Sequence, residues 1–404
     1  MRIAYLLSVA VPSREADTQQ ALKTVDALGA AGADVDLVLP ASRRTRRLGP
    51  AGFEAELRAY YSLRSPFRIV PVRTLEPRER LEAQRPLHAL LACLGLARGR
   101  YDVVYTRSRS APFLCALRGQ PVVFETYRRL GQGSPRLAAL LAVLARRPEL
   151  LGVVTHSHLA RRSLEGAGFP GDKLATIHNG HDPEDLLPRL ERADARARLG
   201  LDPLRPLCCY AGNVGKRKGL SAILDLAALT REVDYLLVGG RESERAALDA
   251  EVTRRGLTNV RSADWRPAPR VAPFLYAADV LVIPPTADPL DRHGRTVLPL
   301  KTFLYMGSGR PILGPDLPDL REVLAHGESA WLVPPDDLPA AAAAIRGLLA
   351  QAGLAESLGR AARLRASELT WRARAERILA QVEAWRARPR SGRGDVTATA
   401  RGAG

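Results

Sequence analysis

Short apolar runs alternate with longer helical patterns along most of the chain. In the first half the runs are RIAYLLSV, DVDLVLP, YDVVYTR, PVVFE and GVVTHS, and in the second half LCCYAG, DYLLVGG, DVLVIPP, RPILG and SAWLVP. Helical patterns lie between them, for example near residues 18–32, 219–229, 241–255 and 299–307. Buried strands separated by helices are typical of parallel sheets with right-handed crossovers. The pattern therefore predicts an α/β fold.

The strand and helix pattern falls into two series. Prolines and charged residues interrupt it around residues 182–190. A chain of 404 residues is also too long for one ordinary hydrophobic core. We expect an N-terminal domain over residues 1–182 and a C-terminal domain over 183–370. An amphipathic helix over 371–388 would pack back towards the first domain, and a tail over 389–404 would be disordered.

The composition predicts a globular protein with a full core. Hydrophobic residues make up 46% of the chain and charged residues 25%. We find no apolar run of about 18 residues, and the N-terminus reaches polar residues too early for a signal peptide. We therefore expect a cytoplasmic protein. The four cysteines lie in apolar runs without metal-ligand spacing, which favours buried free thiols: Cys93, Cys115, Cys208 and Cys209.

The formal net charge of +17 indicates an acidic partner. Aromatic residues are only 5% of the chain, and no basic stretch alternates with them, which argues against nucleic acid. An anionic membrane surface fits better, and a solvated arginine-rich face is the alternative. The helical patterns over 85–99 and 134–151 combine leucines with terminal arginines. They are typical of core helices, or of helices in a membrane interface if exposed.

The stretch YAGNVGKRKGL, residues 210–220, places a cationic cluster at a strand-to-helix turn. Gly212 and Gly215 open the turn, and Lys216, Arg217 and Lys218 follow. Cations at a helix N-terminus oppose the helix dipole unless an anion binds there. The turn therefore predicts an anion site. GxGxxG follows the first strand of neither series, which argues against a nicotinamide-dependent dehydrogenase.

Eight segments in order resemble the retaining GT-B glycosyltransferases of family four, over roughly residues 1–388. They are YDVVYTR, VVFE, VVTHSHLARRSLEGAGFPGDKLATIHNGHD, YAGNVGKRKGL, LLVGG, YAADVLVIPP, PLKTFLYMGSGRPILGPDLPDLREVL and SAWLVPPDD. The resemblance implies two Rossmann-like parallel-sheet domains facing each other across a cleft. It also implies a UDP- or GDP-sugar donor, a glycan or lipid-linked acceptor, retention of configuration, and no metal or cofactor.

In that family the glycine-flanked turn binds the donor diphosphate, with an arginine after the first glycine and a lysine before the last. Lys218 matches the lysine, and Asn213 stands where the arginine usually is. Arg217 or Lys216 would then supply the second charge. The resemblance thus makes Lys218 and Arg217 the catalytic candidates, which would stabilise the departing diphosphate, and Gly212, Asn213 and Lys216 donor-binding residues.

The stretch RTVLPLKTFLYMGSGRP departs from the family pattern. Relatives carry a glutamate that binds the ribose hydroxyls, and a second one eight residues earlier. Here Leu304 and Thr296 occupy those positions, and leucine accepts no hydrogen bond. Pro299 suggests a helix whose free amides face the phosphates, and Lys301 or Arg295 could approach the same charge. All five are candidate donor-binding residues.

Further candidates follow from the same resemblance. Gly239 and Gly240 match glycines that let the backbone approach the nucleotide, although a plain strand-ending turn explains them equally well. The family reads the base near Trp265. Tyr127 replaces a histidine that touches the sugar in relatives, which assigns Glu125 and Tyr127 to the acceptor and sugar cleft; a core or rim tyrosine is the alternative.

Three alternatives remain. His156 and His158 suggest a metal site, but the sequence spaces no third ligand nearby, so we expect none. Leu304, Thr296 and Asn213 also fit a degenerate GT-B chain that binds sugar nucleotides as a module or partner subunit without turnover. A nucleotide-sugar epimerase would need acidic residues near the sugar that the sequence does not reveal.

Overall fold

The computed structural model describes residues 1–74, 84–129, 135–215, 218–288 and 298–388. Within these ranges the chain forms two lobes, each built on a parallel β-sheet. The predicted α/β fold with two Rossmann-like parallel sheets is confirmed.

The first lobe contains a seven-stranded sheet in the order β3-β2-β1-β4-β5-β6-β7. Its strands are Arg2–Leu6 (β1), Asp34–Pro40 (β2), Arg68–Val72 (β3), Val103–Thr106 (β4), Val122–Thr126 (β5), Leu150–Thr155 (β6) and Leu174–Thr176 (β7). Its helices are Ala16–Ala30 (α1), Arg43–Tyr61 (α2), Gln84–Gly95 (α3), Ala111–Leu117 (α4), Pro135–Ala145 (α5) and His158–Glu165 (α6).

The second lobe contains a six-stranded sheet in the order β10-β9-β8-β11-β12-β13. Its strands are Leu207–Ala211 (β8), Asp234–Val238 (β9), Val260–Ala263 (β10), Val280–Val282 (β11), Ile312–Pro315 (β12) and Trp331–Val333 (β13). Its helices are Arg192–Leu199 (α7), Leu220–Leu229 (α8), Glu242–Arg254 (α9), Ala268–Ala277 (α10), Leu300–Ser308 (α11), Leu338–Ala350 (α12) and Ala352–Ala366 (α13).

The strand order of each sheet determines where a ligand can bind. In both sheets the first strand of the series lies centrally, and the order in which strands are added reverses beside it, between β1 and β4 and between β8 and β11. The central strands are buried on both faces, because helices cover each side. Crevices at such reversal points open at the carboxyl ends of the strands. Each sheet therefore contributes one crevice.

The last helix, Trp371–Arg386 (α14), returns to the first lobe and packs against α1 and β6. Its apolar face, which includes Ile378 and Trp385, is buried in the core of that lobe. The chain crosses between the lobes twice, and the two crossings pair: the His181 amide donates to the Leu369 carbonyl, and the Trp371 amide donates to the His181 carbonyl. The crossings therefore form a hinge of two adjacent segments.

Two predicted helices are shorter than their sequence pattern. The pattern over 85–99 gives a helix that ends at Gly95. The pattern over 134–151 gives a helix that ends at Ala145, and residues from Leu150 onwards form strand β6. Among the described helices none is long and apolar enough by itself to span a bilayer, although the sharply bent pair α12 and α13 meets that test jointly.

The docking of α14 depends on a glycine in β6. A Cβ atom added at Gly152 would lie 2.3 Å from the indole of Trp385. We expect Gly152→Ala to lower the free energy of unfolding by about 1–3 kcal/mol, because a close-packed site cannot absorb a methyl group without displacing the ring. Thermal and urea unfolding of the purified variant would measure this loss.

Gly347→Ala is the matched control. Gly347 lies within α12, and no heavy atom lies within 4 Å of its added Cβ. Alanine should there stabilise the helix by up to about 1 kcal/mol. Equal stability of Gly152→Ala and the wild type would contradict tight packing of α14 on β6.

Candidate active site

A cavity of about 1070 Å³ lies between the two lobes, and residues of both lobes line it. The first lobe contributes the loop after β1, the start of α1 and the ends of β5 and β6. The second lobe contributes the turns after β8 and β9 and the first turn of α11. The predicted candidates that line this cavity are Gly212, Asn213, Lys218, Gly239, Gly240, Pro299, Lys301, Leu304 and Tyr127.

Four other predicted residues lie outside the described residues: Lys216, Arg217, Arg295 and Thr296. Their assignments remain predictions from the resemblance alone.

The turns after β8 and β9 pack directly against each other. Gly239 has φ +131°, and an added Cβ would lie 2.1 Å from the Gly212 carbonyl oxygen. Gly240 has φ +80°, and its Cβ would lie 2.2 Å from the side chain of Val214. Glycine is therefore required for this close backbone approach. The Asn213 side chain accepts a hydrogen bond from the Gly215 amide at 2.7 Å, which holds the turn.

Two lysines face the cavity beside these turns. The Lys301 ammonium lies 3.5 Å from the ring centre of Tyr210 and beside Gly212. Burial lowers the pKa of Lys301 well below its usual range, and Lys218 lowers it further. Within the described ranges we find no carboxylate paired with Lys301 or Lys218. An anionic ligand bound at the turn would therefore favour the charged form of Lys301.

Part of the wall formed by α11 is apolar. Pro299 is the N-cap residue of α11, so the free amides of its first turn are near the cavity. Leu304 lines the cavity and also packs against the core of the second lobe. A leucine at this position leaves a hydrophobic surface where a carboxylate could otherwise receive hydroxyl groups.

In the first lobe Tyr127 lines the cavity, whereas Glu125 lies beneath the cavity wall. Glu125 is only 1% exposed, so it is placed to support the wall and not to touch a ligand. Its carboxylate accepts hydrogen bonds from Gln20 at 2.6 Å and from Arg374 at 2.9 Å. Burial alone would raise the pKa of Glu125, but Arg374, His156 and Arg107 together outweigh it and hold that pKa below its usual range.

His156 is a cavity residue that the sequence suggests only as a metal ligand. It lines the cavity next to Tyr127, with the two ring centres 5.9 Å apart. Its Nε2 contacts the Glu125 carboxylate, and Asn179 Nδ2 lies 3.5 Å from its Nδ1. Burial lowers the pKa of His156 to about 4. A neutral imidazole that donates from Nε2 to Glu125 therefore has a fixed tautomer.

Arg107 completes this part of the wall. Its guanidinium lies 5.3 Å from the ring centre of Tyr127. It also donates to the Gln20 side chain and to the Asp17 backbone carbonyl, both at 2.5 Å. Gln20 in turn donates to Glu125. The side chains along this wall are thus cross-linked by hydrogen bonds.

An ionic cluster lies between α1 and the hinge. Lys23 is 2% exposed and contacts Asp182 and Asp185, while Arg64 donates to Asp185 at 2.8 Å. Burial raises the pKa of Asp185 despite these cations. Because Lys23 belongs to α1 and the two aspartates follow the first crossing, the cluster ties the hinge to the first lobe.

On the exposed side of the cavity the contacts between the lobes include three side chains, which we call the rim contacts: Arg14, Tyr60 and Trp265. The Tyr60 and Trp265 rings stack with centres 5.4 Å apart. The Arg14 guanidinium lies 5.2 Å from the Trp265 ring and donates to the Gly240 carbonyl at 3.3 Å. The rim contacts therefore bridge the two lobes at the indole near which the resemblance predicts base recognition.

Two protein-family models match the chain, one on each lobe. The model described as Glycosyltransferase Family 4 matches residues 19–185, and the model described as Glycosyl transferases group 1 matches residues 205–351. The two matches together span most of the chain.

The chain is also similar to two named relatives. It is 27% identical over 226 residues to a D-inositol 3-phosphate glycosyltransferase from Jonesia denitrificans, covering 52% of this chain and 51% of the relative. It is 29% identical over 270 residues to a phosphatidyl-myo-inositol mannosyltransferase from Mycolicibacterium smegmatis, covering 63% of this chain and 64% of the relative. In both cases the chain spans less than two thirds of the relative's length.

Among solved structures the chain resembles HepE from Anabaena, determined in complex with UDP-glucose. The TM-score is 0.68 at 18% identity, and the match covers 95% of this chain and 100% of HepE. At this level of identity the two proteins share a fold.

The buried imidazole of His156 makes stability depend on pH. Its folded pKa of about 4 lies below the ordinary 6.5, so the unfolded chain binds more protons between these values. Stability from this group is present above pH 6.5 and is lost as the pH falls towards 4. Over this range we expect His156→Gln to lose on the order of 2–3 kcal/mol less of its free energy of unfolding than the wild type does. Chemical unfolding at several pH values measures the difference.

The control is His326→Gln, which changes an exposed histidine. Its free energy of unfolding should depend on pH as that of the wild type does. The same pH dependence in His156→Gln and the wild type would contradict the assignment.

Proposed function

The chain belongs to the GT-B glycosyltransferases of the family 4 type, and from this premise we propose that it transfers a sugar from a nucleotide diphosphate sugar to an acceptor in the cavity between its lobes. The observation that carries the proposal is the pair of lysines, Lys301 and Lys218, without a carboxylate partner in the described ranges. They lie beside two glycine turns that bring the backbone close to the same space. A diphosphate provides the negative charge that this arrangement lacks.

The same charges would favour the chemical step. A nucleoside diphosphate gains negative charge as the glycosidic bond breaks, so fixed cations stabilise the transition state more than the ground state. Lys301 is especially suited because it is buried, and an ion pair is stronger away from water. The residues 216 and 217, outside the described ranges, would add charge if the turn continues towards the ligand as the resemblance implies.

We propose a UDP- or GDP-sugar as the donor and retention of configuration as the outcome. HepE, which shares the fold, was solved with UDP-glucose, and retention follows from the family resemblance. The leaving phosphate would itself accept the proton of the acceptor. His156 is a poor general base in this arrangement, because both of its ring nitrogens already have partners.

Leu304 implies that the donor is held differently from the family pattern. A hydrophobic wall offers no acceptor to the ribose hydroxyls, so more of the donor affinity would come from the phosphates. Donor binding would then persist without the usual glutamate. The degenerate binding module is less favoured, because the named relatives are transferases.

We further propose that the acceptor is lipid-linked and that the first lobe docks on an anionic membrane. Apolar side chains are exposed on three neighbouring helices that cover one face of the first sheet. They are Leu87, Leu90 and Leu94 on α3, Leu117 on α4, and Leu140 and Val143 on α5. We call this set the leucine patch.

Exposed arginines accompany the leucine patch: Arg98, Arg136 and Arg146. Apolar groups that enter the acyl boundary and cations that pair with lipid headgroups together give a peripheral membrane surface. The phosphatidyl-myo-inositol mannosyltransferase is named for a lipid acceptor, which supports the same choice here.

The donor site is tested by Lys301→Met. We expect UDP affinity to fall at least about tenfold, since a charge-assisted contact contributes about 1.5–3 kcal/mol, and we expect a smaller loss for the exposed Lys218→Ala. Because a diphosphate favours the charged form of Lys301, wild-type binding in alkaline buffer should take up protons and binding to Lys301→Met should not. Titration calorimetry in buffers of different ionisation enthalpy measures both effects.

The control for the donor site is Arg346→Met, which removes an exposed cation of the second lobe. It should leave UDP binding unchanged. An unchanged isotherm for Lys301→Met would remove Lys301 from the donor site, and transfer or hydrolysis of a UDP- or GDP-sugar by the wild type separates an enzyme from a binding module.

The membrane surface is tested with the triple variant Leu90→Ser, Leu94→Ser and Val143→Ser. We expect its partitioning onto vesicles of phosphatidylcholine and phosphatidylglycerol to fall by roughly tenfold or more, because three apolar side chains that would enter the membrane are replaced by polar ones. The matched control replaces three exposed leucines of the second lobe, Leu204, Leu229 and Leu364. An equal loss in both variants, or equal binding to purely zwitterionic vesicles, would contradict the proposal.

A further inference from the structure

Three groups that can bind a metal converge at a second contact between the lobes. His158 is the first residue of α6, His178 follows β7, and Glu322 lies in a short turn of the second lobe. One ligand atom from each lies within 4.8 Å of the others. This cluster is separate from the cavity, because none of the three lines it.

Glu322 is held in position by the first lobe. Its Oε2 accepts from the His158 backbone amide at 2.8 Å, and its Oε1 accepts from the Leu159 amide at 3.1 Å. Its side chain is 8% exposed. The two amides therefore orient the carboxylate.

The two imidazoles approach this carboxylate from the first lobe. His178 Nε2 lies 2.9 Å from Glu322 Oε2, and the rings of His158 and His178 meet edge to face with centres 5.6 Å apart. His158 is exposed and His178 is partly buried, so an ion has a path from solvent. Oε1 keeps a lone pair beside the one hydrogen bond that it accepts, and Oε2 keeps one when the proton of His178 is on Nδ1 and Nε2 does not donate.

We propose that His158, His178 and Glu322 bind one divalent transition-metal ion, with Zn²⁺ as the best match, and that this ion joins the two lobes. Two imidazoles and one carboxylate are a ligand set of zinc, whereas Mg²⁺ and Ca²⁺ require oxygen ligands. His178 would carry its proton on Nδ1 and present Nε2 to the ion. Ligand atoms around a tetrahedral zinc ion, with bonds of about 2.0–2.2 Å, lie closer together than 4.8 Å, so binding would draw the three side chains inwards.

The expected consequence is a metal-dependent restraint on the lobes. Glu322 belongs to the second lobe and both histidines to the first, so the bound ion would oppose their separation. Anything that binds the folded chain and not the unfolded chain also raises its stability. The site thus goes beyond the proposed sugar transfer, and it can be tested without any donor or acceptor.

The test is calorimetric titration of the full chain with zinc chloride after treatment with a chelator. We expect one ion per chain. His158→Ala and His178→Ala should each weaken binding by at least the roughly 10- to 100-fold that loss of an outer partner of a metal site costs. Cobalt should give the visible absorption of a tetrahedral site in the wild type, and either substitution should abolish it.

The controls are His326→Ala and Glu328→Gln, which change an exposed histidine and an exposed carboxylate of the second lobe. Both should bind zinc as the wild type does. Zinc should also raise the unfolding temperature of the wild type and not that of His178→Ala. The proposal is overturned if the wild type binds no zinc below millimolar concentrations, or if the histidine variants bind it as tightly as the controls.

Discussion

The buried ion pair of Arg374 and Glu125 is the interaction on which the geometry of the cavity depends. Arg374 comes from the C-terminal helix and Glu125 from the middle of the first sheet, and their side chains are 2% and 0% exposed. Two charges so far from water cost several kcal/mol each unless they are paired and hydrogen-bonded. The C-terminal helix can place Arg374 beside Glu125 only when the helix packs on the first lobe. The pair therefore fixes the path of the chain through the hinge.

The rest of the first-lobe wall follows from this pair. Glu125, once charged and held, accepts from Gln20 and contacts His156. His156 then keeps one tautomer beside Tyr127, and Arg107 holds Gln20 from the other side. A hydrophobic replacement of the pair could be equally stable, but it would leave His156 without an orienting partner. The ion pair is best understood as a positioning device for the wall and not as a source of stability.

The sequence predicted the parts of the molecule that depend on local patterns. The strands, the glycine turns with Lys218, and the closing helix each have a short-range signal, such as an apolar run or a helical period. The sequence pattern predicts α3 and α5 too long, because apolar residues continue past the ends of both helices. The network of Glu125, His156 and Arg374 had no such signal, since Arg374 lies 249 positions from Glu125. The cluster of His158, His178 and Glu322 has no spacing signal either, because Glu322 reaches His158 only through the folded arrangement of the lobes.

The contacts between the lobes differ in strength, and this difference determines how a substrate could enter. At the hinge the lobes share backbone hydrogen bonds and a buried ionic cluster around Lys23. At the rim they share a stack of two aromatic rings and an exposed arginine. Contacts of this kind near the surface contribute about 1 kcal/mol or less each, whereas breaking a buried ionic cluster costs about 3–5 kcal/mol. The lobes should therefore separate at the rim while the hinge stays intact, which opens the cavity on the side of Trp265.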